Sequence, residues 1–244
     1  MLFERKHHQR IAKALENLDA ALLKNNRCYF GGGTALALMH GEYRESNDID
    51  FMVSSIPDYR HLRALLTGPG GFEMLARRDG TVTQIGEIRA DQYGIRGKIE
   101  VDGVPIKMEI VLEGRIELEA PAVTDTLCGV STLCQKDLAA EKMLANSDRW
   151  GDVSAFNRDL IDLAMSGFKR PLLLSAIEKA ETAYGVAIKR DLERAIERVL
   201  NRTGWLDRCI SAMEILEPKA SLMQRLMVLG KHCGVAVKLG DAQS

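Results

Sequence analysis

The sequence predicts an α/β (α+β) protein in two parts, a mixed α/β domain in residues 1–120 and a helical domain in residues 121–244. Two observations predict this division. Strand-like segments and glycine-containing turns concentrate before residue 112, whereas apolar residues after Pro121 recur at helical spacing. With 244 residues, 46% hydrophobic and 27% charged, the chain is long enough for one large or two small domains with a sizeable core.

The first domain is predicted to begin with a helix and a short strand. Apolar residues at helical spacing predict one amphipathic helix over about residues 4–24, and residues 28–30 predict a short apolar strand. Three glycines follow the strand. A helix is then predicted over residues 34–39, with Gly41 as its end.

A mixed sheet with flanking helices is predicted for the rest of this domain. Alternation and β-forming residues predict a strand over Asp48–Val53, and Pro57 is expected to open a helix. Residues 72–112 have the pattern of strands, with Asp79–Gly80 and Asp102–Gly103 as tight hairpin turns.

The second domain is predicted to be almost wholly helical. Five segments have helical periodicity, and no internal repeat or low-complexity stretch interrupts them. These segments are residues 135–147, 153–165, 171–184, 188–201 and 220–231.

Composition excludes several classes of protein. No apolar run is long enough to span a bilayer and the N-terminal segment is charged, so we expect a cytoplasmic protein without a membrane partner. The five cysteines have no CxxC spacing and are interpreted as buried thiols rather than zinc ligands. The net charge of −1 excludes a protein that is basic over its whole surface, so any RNA contact requires a local patch.

Two aspartates and one glutamate form the first chemical motif. Residues two apart in a strand point to the same face, so Asp48 and Asp50 should present both carboxylates together. Like charges so close are costly without a cation, and Mg²⁺ prefers oxygen ligands and bridges carboxylates to phosphates. Glu109 shares a strand face with Lys107 and Val111. It is therefore the candidate third carboxylate, provided that the two strands are neighbours.

The glycine run forms the second motif. Gly32, Gly33 and Thr34 lie between a strand and a helix, where glycine permits the close backbone approach that a phosphate requires. The helix offers free N–H groups and its positive dipole end to an anion. Thr34 is expected either to cap this helix or to bind a phosphate oxygen. Since Gly31 is also a glycine, the identity of the phosphate-binding pair stays open by one residue.

The ordered set of motifs resembles a known family. The segment GGTALAL, a glycine and the segment RESNDIDF resemble the AbiEii/AbiGii nucleotidyltransferase toxins of the DNA polymerase β-like superfamily. The strand around Glu109 is similar to the family's third-carboxylate strand. DLAAEK, at residues 137–142, resembles its lysine helix, and RDLIDL, at residues 158–163, resembles its RDxxDL element. The resemblance covers residues 30–163, about half of the chain.

The resemblance implies a nucleotidyltransferase-fold sheet and a helical domain that completes the nucleotide and acceptor cleft. It implies three catalytic, metal-binding residues, Asp48, Asp50 and Glu109, which would hold two Mg²⁺ ions. It implies six NTP-binding residues, Gly32, Gly33, Thr34, Ser46, Lys142 and Asp159. A structural role for Lys142 and Asp159 is an open alternative, because Asp159 and Asp162 lie three apart on a helix and can pair with arginines there.

The function implied is magnesium-dependent transfer of a nucleotidyl group from an NTP to a cellular acceptor, with RNA, and tRNA in particular, favoured. The enzyme would be the toxin of a toxin–antitoxin or abortive-infection system, with a cognate antitoxin protein as a partner. Two alternatives stay open: a small-molecule nucleotidyltransferase of the antibiotic-modifying type, and a catalytically silent nucleotide-binding module.

Two basic patches are candidates for contact with RNA. The first is a stripe on one predicted helix, made of Arg190, Arg194, Arg198 and Arg202. The second is N-terminal, made of Arg5, Lys6, Arg10 and Lys13. Either could follow a phosphate backbone. The preferred interpretation of the stripe is a solvated helix face that Asp191, Glu193 and Glu197 partly neutralise.

Overall fold

The computed structural model describes residues 3–238, and its packing separates two units. The first unit contains residues 1–42 and 46–134, and the second contains residues 43–45 and 135–244. The predicted mixed α/β fold is confirmed, with a five-stranded mixed sheet in the first unit and helices in the second. Within residues 3–238, every helix is too short or too polar to cross a bilayer.

The sheet of the first unit positions the predicted carboxylates. Its strands are β1 (Tyr29–Phe30), β2 (Asp48–Val53), β3 (Thr83–Ala90), β4 (Gly94–Val101) and β5 (Val104–Leu112). Their order across the sheet is β1-β2-β5-β4-β3. β2 and β5 are parallel, and the other neighbours are antiparallel. The two strands predicted to carry the acidic motif are therefore direct neighbours.

The helices of the first unit are α1 (Lys6–Glu16), α2 (Ala20–Asn25), α3 (Gly32–Met39) and α4 (Ile56–Leu66). The single helix predicted over residues 4–24 is wrong. Asp19 starts a new helix because its side chain accepts a hydrogen bond from the Leu22 amide at 2.9 Å. Its own amide donates to the Leu75 carbonyl at 2.7 Å, which turns the chain out of α1.

One of the two predicted hairpin turns is observed. Asp102 and Gly103 join β4 to β5 with φ values of 52° and 74°. The turn predicted at Asp79–Gly80 is wrong as a hairpin, because it precedes β3, and residues 71–75 form a 3₁₀ helix rather than a strand. β3 and β4 are instead joined at Asp91, whose carboxylate accepts the amides of Tyr93 and Gly94 at 2.7 and 3.0 Å.

A small hairpin after Pro121 was not predicted. It consists of β6 (Thr126–Leu127) and β7 (Val130–Ser131), joined through Cys128 and Gly129 at positive φ. The Leu133 amide donates to the Phe30 carbonyl at 2.9 Å, so the hairpin packs with the first unit. Unlike residues 28–30, which are all apolar, residues 126–131 contain no run of three apolar residues, so nothing in the sequence marks these two short strands.

The second unit contains six α-helices among its described residues. They are α5 (Gln135–Arg149), α6 (Arg158–Met165), α7 (Arg170–Tyr184), α8 (Ala187–Asn201), α9 (Trp205–Ala212) and α10 (Lys219–Cys233). α5 packs against α6, α7 and α8. The helix predicted over residues 153–165 is shorter than expected, because Phe156 and Asn157 adopt positive φ and α6 starts after them. Helix α9 was missed.

Candidate active site

Asp48, Asp50 and Glu109 lie on one face of the sheet. Asp48 and Asp50 are partly exposed, while the residues that alternate with them in β2 are buried. The parallel register sets Asp50 beside Glu109 and Asp48 beside Lys107. Because register partners on neighbouring strands point to the same side of a sheet, the structure places the three predicted carboxylates on the same face.

Glu109 is held by two basic side chains. Arg96 on β4 places Nε 3.0 Å from Oε1 of Glu109, and Lys107 donates from Nζ to Oε2 at 2.7 Å. Burial lowers the pKa of Lys107, but Glu109, Asp48 and Asp50 outweigh burial and raise it above its ordinary value. No local pattern in the sequence indicates Arg96, because its position opposite Glu109 depends on the pairing of β4 with β5.

The donor atoms of this face suit a hard divalent cation. Carboxylate oxygens are the ligands that Mg²⁺ prefers. In the described part of the chain, residues 3–238, no three His, Cys, Asp or Glu side chains are arranged closely enough to hold a metal ion. Both oxygens of Glu109 contact Arg96 and Lys107 instead. The residue chemistry fits the ion, and binding through all three carboxylates requires Glu109 to exchange these partners.

The glycine run brings the start of α3 against Asp50. The helix begins at Gly32, two residues before the predicted start, with Gly31 as its N-cap. The Gly31 amide donates to the Asp50 carbonyl at 2.9 Å. Gly32 has a φ of +71°, and a Cβ there would lie 2.7 Å from Oδ2 of Asp50. Gly32 and Gly33 are partly exposed at the first turn, where helix N–H groups attract anions.

Thr34 does not cap α3, so that part of its prediction is wrong. The N-cap is Gly31, which offers no side chain. Thr34 is 1% exposed, and its hydroxyl lies 2.7 Å from Oγ of Ser46 in a shared hydrogen bond. Thr34 and Ser46 are called the hydroxyl pair below. Thr34 is buried and Ser46 is partly exposed, so only Ser46 is accessible from solvent.

Helix α1 holds the segment that contains Ser46. The Ser46 amide donates to Nε2 of buried His8 at 3.2 Å, and Nδ1 of His8 lies 2.7 Å from Oε1 of Glu42. Since Nε2 accepts a hydrogen bond, the imidazole proton belongs on Nδ1, which donates to Glu42. His7 also contacts this segment, through Nε2 and the Asn47 carbonyl at 3.0 Å. These contacts join residues 34 to 40 positions apart and have no local sequence signal.

In the second unit, Lys142 lies in a network of buried ion pairs. Its Nζ is 2.9 Å from Oδ1 of Asp159 and 2.7 Å from Oδ2 of Asp162. Arg149 donates to both oxygens of Asp159 at 2.6 and 2.9 Å. Arg44 donates to both oxygens of Asp162 at 2.7 and 2.9 Å. Lys142 and Asp159, both predicted to bind nucleotide, therefore contact each other directly.

The electrostatics of this network are dominated by its basic members. Burial raises the pKa of Asp159 and Asp162, but the cations around them outweigh burial and hold both pKa values below the ordinary range. Arg44, Lys142 and Arg149 carry three positive charges against two negative ones, so one positive charge is in excess. Removal of any one of these side chains should lower the stability of the fold, because the charges that remain would be buried without a full set of partners.

Comparison with solved structures identifies one related fold and a second structure of weaker similarity. A crystal structure of JHP933 from Helicobacter pylori is 16% identical, with a TM-score of 0.52 over 96% of this chain and 95% of that chain. A second H. pylori structure, described provisionally as a nucleotidyltransferase, is 15% identical, with a TM-score of 0.46 over 93% of this chain and 95% of that chain. Comparison with curated protein sequences gave no significant match.

Comparison with protein families is more specific. Residues 13–221 match the AbiEii family, described as the nucleotidyl transferase AbiEii toxin of type IV toxin–antitoxin systems. The match covers more than half of the chain and includes the carboxylate face, the glycine run and the Lys142 network. It agrees with the resemblance carried by the sequence motifs. The chain belongs to the AbiEii family of nucleotidyltransferase toxins.

Proposed function

We propose that this nucleotidyltransferase is magnesium-dependent and transfers a nucleotidyl group from an NTP to RNA, with tRNA as the favoured acceptor. The observation that carries the proposal is the shared face of Asp48, Asp50 and Glu109 beside the start of α3. Family membership supplies the reaction class and an antitoxin as the expected protein partner. The carboxylate face supports the metal dependence.

The carboxylates are the proposed ligands of the metal. Asp48, Asp50 and Glu109 would hold two Mg²⁺ ions, which is the number that the family resemblance implies. When bound, the metal supplies positive charge that neutralises the phosphate oxygens of the substrate.

The glycine run is the proposed triphosphate site. The first-turn N–H groups of α3, at Gly32 and Gly33, would donate hydrogen bonds to phosphate oxygens. The hydroxyl pair of Thr34 and Ser46 adds a polar group at the partly exposed Ser46. His8 would keep the Ser46 amide in place from the other side.

In the proposed reaction, the oxygen of an acceptor hydroxyl bonds to the α-phosphorus. The bond between the α-phosphorus and the bridging oxygen breaks, and pyrophosphate leaves. Glu109 would accept the hydroxyl proton, since it is a partly exposed carboxylate on the same face as the aspartates. Lys142 and Asp159 are proposed to contribute to nucleotide binding, in addition to the ion pairs that they make.

A label-transfer assay tests this function. The protein is incubated with Mg²⁺, each α-labelled NTP in turn and total cellular RNA. The matched variants are Asp50→Asn and, as a control, Asp79→Asn, which changes an exposed aspartate of the same unit. We expect label on RNA with the wild type and the control, and a loss of about 10³-fold with Asp50→Asn.

The other outcomes of this assay are equally informative. Label on a small molecule or a protein would overturn the RNA acceptor and keep the transferase. Magnesium-dependent NTP binding without label on any acceptor would favour the nucleotide-binding module. Full activity of Asp50→Asn would show that the carboxylate face is not the metal site.

A further inference from the structure

Three arginines surround one tryptophan in the helical unit. Arg198 on α8, Arg202 after it and Arg208 on α9 place their guanidinium carbons 5.0, 4.8 and 5.3 Å from the ring centroid of Trp205. Each distance is within the range of a cation–π contact. Arg198, Arg202 and Arg208 are called the arginine cluster below. It joins the end of the predicted basic stripe to an arginine of α9 that the sequence pattern did not include.

Trp205 anchors the cluster and is itself covered. The residue is 1% exposed, and its ring stacks on Phe156 with centroids 6.0 Å apart. Its Nε1 donates to Oδ1 of Asn157 at 2.7 Å. The indole is therefore a fixed platform for the guanidinium groups, and it is not available for stacking with a nucleic-acid base.

Among residues 3–238 the cluster has no acidic partner, unlike the arginine that begins the stripe. Arg190 donates to both oxygens of Asp191, at 2.9 and 3.2 Å. In the part of the chain that the structure describes, no carboxylate pairs with Arg198, Arg202 or Arg208. Arg194 also lies near Asp191, with Nη1 3.8 Å from Oδ1. The preferred interpretation of the stripe as a neutralised face therefore holds for Arg190 and Arg194 and not for the cluster.

One member of the cluster is held in position by the backbone. Arg198 donates from one terminal nitrogen to the Gly151 carbonyl at 2.9 Å, and the same nitrogen lies 3.4 Å from the Trp150 carbonyl. Its Nε is buried and has no hydrogen-bond partner within residues 3–238. Arg202 and Arg208 are exposed and make no side-chain hydrogen bond among residues 3–238. The cluster therefore retains unused donors around a rigid centre.

We propose that the arginine cluster binds the phosphate backbone of the RNA acceptor. Guanidinium groups match phosphate geometry through paired N–H donors, and unpaired ones have no internal ion pair to break on binding. This inference rests on the proposed RNA acceptor and adds the surface that holds it.

The surroundings of the cluster favour RNA over a protein partner. The exposed residues of segment 201–208 are polar, charged or glycine, and none of the exposed large hydrophobic residues lies there. Protein interfaces depend on a buried apolar or aromatic centre, which this surface lacks because Trp205 is already covered. A phosphate backbone requires positive charge and donors, which the cluster supplies.

The inference is tested by measuring the binding of fluorescently labelled bulk tRNA to the protein. Fluorescence anisotropy is recorded in the absence of NTP. The test variant is Arg202→Gln with Arg208→Gln. The matched control is Arg190→Gln with Arg225→Gln, which removes two arginines that pair with carboxylates. We expect the test variant to weaken binding at least about tenfold and to reduce the log–log salt slope by about 1.5. The control should remain within about twofold of the wild type.

A charge-retaining variant separates binding from folding. Arg202→Lys with Arg208→Lys keeps both charges but not the paired donors, so it should restore the salt slope of the wild type and only part of the affinity. Wild-type affinity in the glutamine variant would overturn the inference. So would a wild-type protein that binds an acidic protein through the cluster and does not bind RNA.

The same variants distinguish failure of the surface from failure of the function. If label is transferred to RNA and the glutamine variant has an unchanged KM for RNA, the surface is wrong and the transferase stands. If tRNA binding depends on the cluster but no label is transferred, the surface stands and the proposed RNA transfer is wrong.

Discussion

The sheet unit and the helical unit each contain a group of acidic residues, but the surroundings of the two groups are opposite. The sheet unit has Asp48, Asp50 and Glu109, and the helical unit has Asp159 and Asp162. The first three are partly exposed on one face of the sheet, and the Glu109 side chain is 16% exposed. The side chains of Asp159 and Asp162 are 3% and 0% exposed, and each contacts two basic groups. An accessible carboxylate can exchange its partners for a cation, whereas removal of a buried, fully paired one leaves its basic partners as uncompensated buried charges.

The largest expected effect tests the exposed side of this comparison. Asp50→Asn should reduce transferase activity by about 10³-fold, because a neutral amide is a weak ligand for a hard cation. Its free energy of unfolding should change by less than about 0.5 kcal/mol, since the position is partly exposed. Urea unfolding beside the activity assay measures both. A loss of several kcal/mol of stability would instead give Asp50 the structural role of Asp159 and Asp162.

Asp162→Asn tests the buried side. The change leaves Arg44 and Lys142 without their shared carboxylate, so the free energy of unfolding should fall by about 3 kcal/mol. The control is Asp102→Asn, which breaks an exposed pair with Lys13 and should cost less than about 1 kcal/mol. Urea unfolding of the three proteins gives both differences. Equal stability of Asp162→Asn and Asp102→Asn would remove the contrast between the units.

Lys142→Met tests whether Lys142 binds nucleotide in addition to forming buried ion pairs. Loss of the ammonium leaves Asp159 and Asp162 with one basic partner each, so unfolding should become easier by about 2 kcal/mol. If Lys142 also contacts nucleotide, the KM for NTP should rise about tenfold at a temperature where both proteins are folded. Unchanged KM and kcat in the destabilised variant would make Lys142 a structural residue.

Gly32→Ala isolates the contact between the glycine run and Asp50. Alanine at positive φ should cost about 1–2 kcal/mol of stability, and its Cβ would also press on the Asp50 carboxylate. Gly41→Ala is the matched control, because Gly41 has a φ of +77° and open space around it. Thermal unfolding should show a cost in both variants, and only Gly32→Ala should also lose activity. Equal activities would mean that displacement of Asp50 is harmless.

The smallest expected effect is a pH dependence of the buried network. Burial raises the pKa of Asp162, but Arg44 and Lys142 outweigh it and lower the pKa below its ordinary value. Its stabilising contribution is therefore full above the unfolded pKa of about 3.9 and is lost as the pH falls towards the lower folded pKa. The stability difference between wild type and Asp162→Asn should be constant from about pH 7 to 5 and shrink by about 1 kcal/mol near pH 3. A difference that is independent of pH would contradict an ionised Asp162.

Local patterns in the sequence were sufficient for much of the fold and for one half of the candidate site. Alternation in Asp48–Val53 predicted a strand with both aspartates on one face, which is observed. Helical periodicity predicted α5, α7, α8 and α10 to within a few residues. Periodicity works for these elements because side-chain direction depends only on local backbone geometry. It failed for the split between α1 and α2, where a single cap at Asp19 outweighed the apolar pattern.

By itself, the sequence determined the mixed α/β class, the direction of the two aspartates and the family to which the chain belongs. Only the tertiary structure decided that β5 lies parallel to β2 with Glu109 beside Asp50, and that Arg96 reaches the same carboxylate. It also decided that Arg190 is paired with Asp191, whereas the arginine cluster has no carboxylate partner within the described residues. The physical reason is distance along the chain: strand pairing and ion pairing join residues that no local period relates, and packing alone selects these partners.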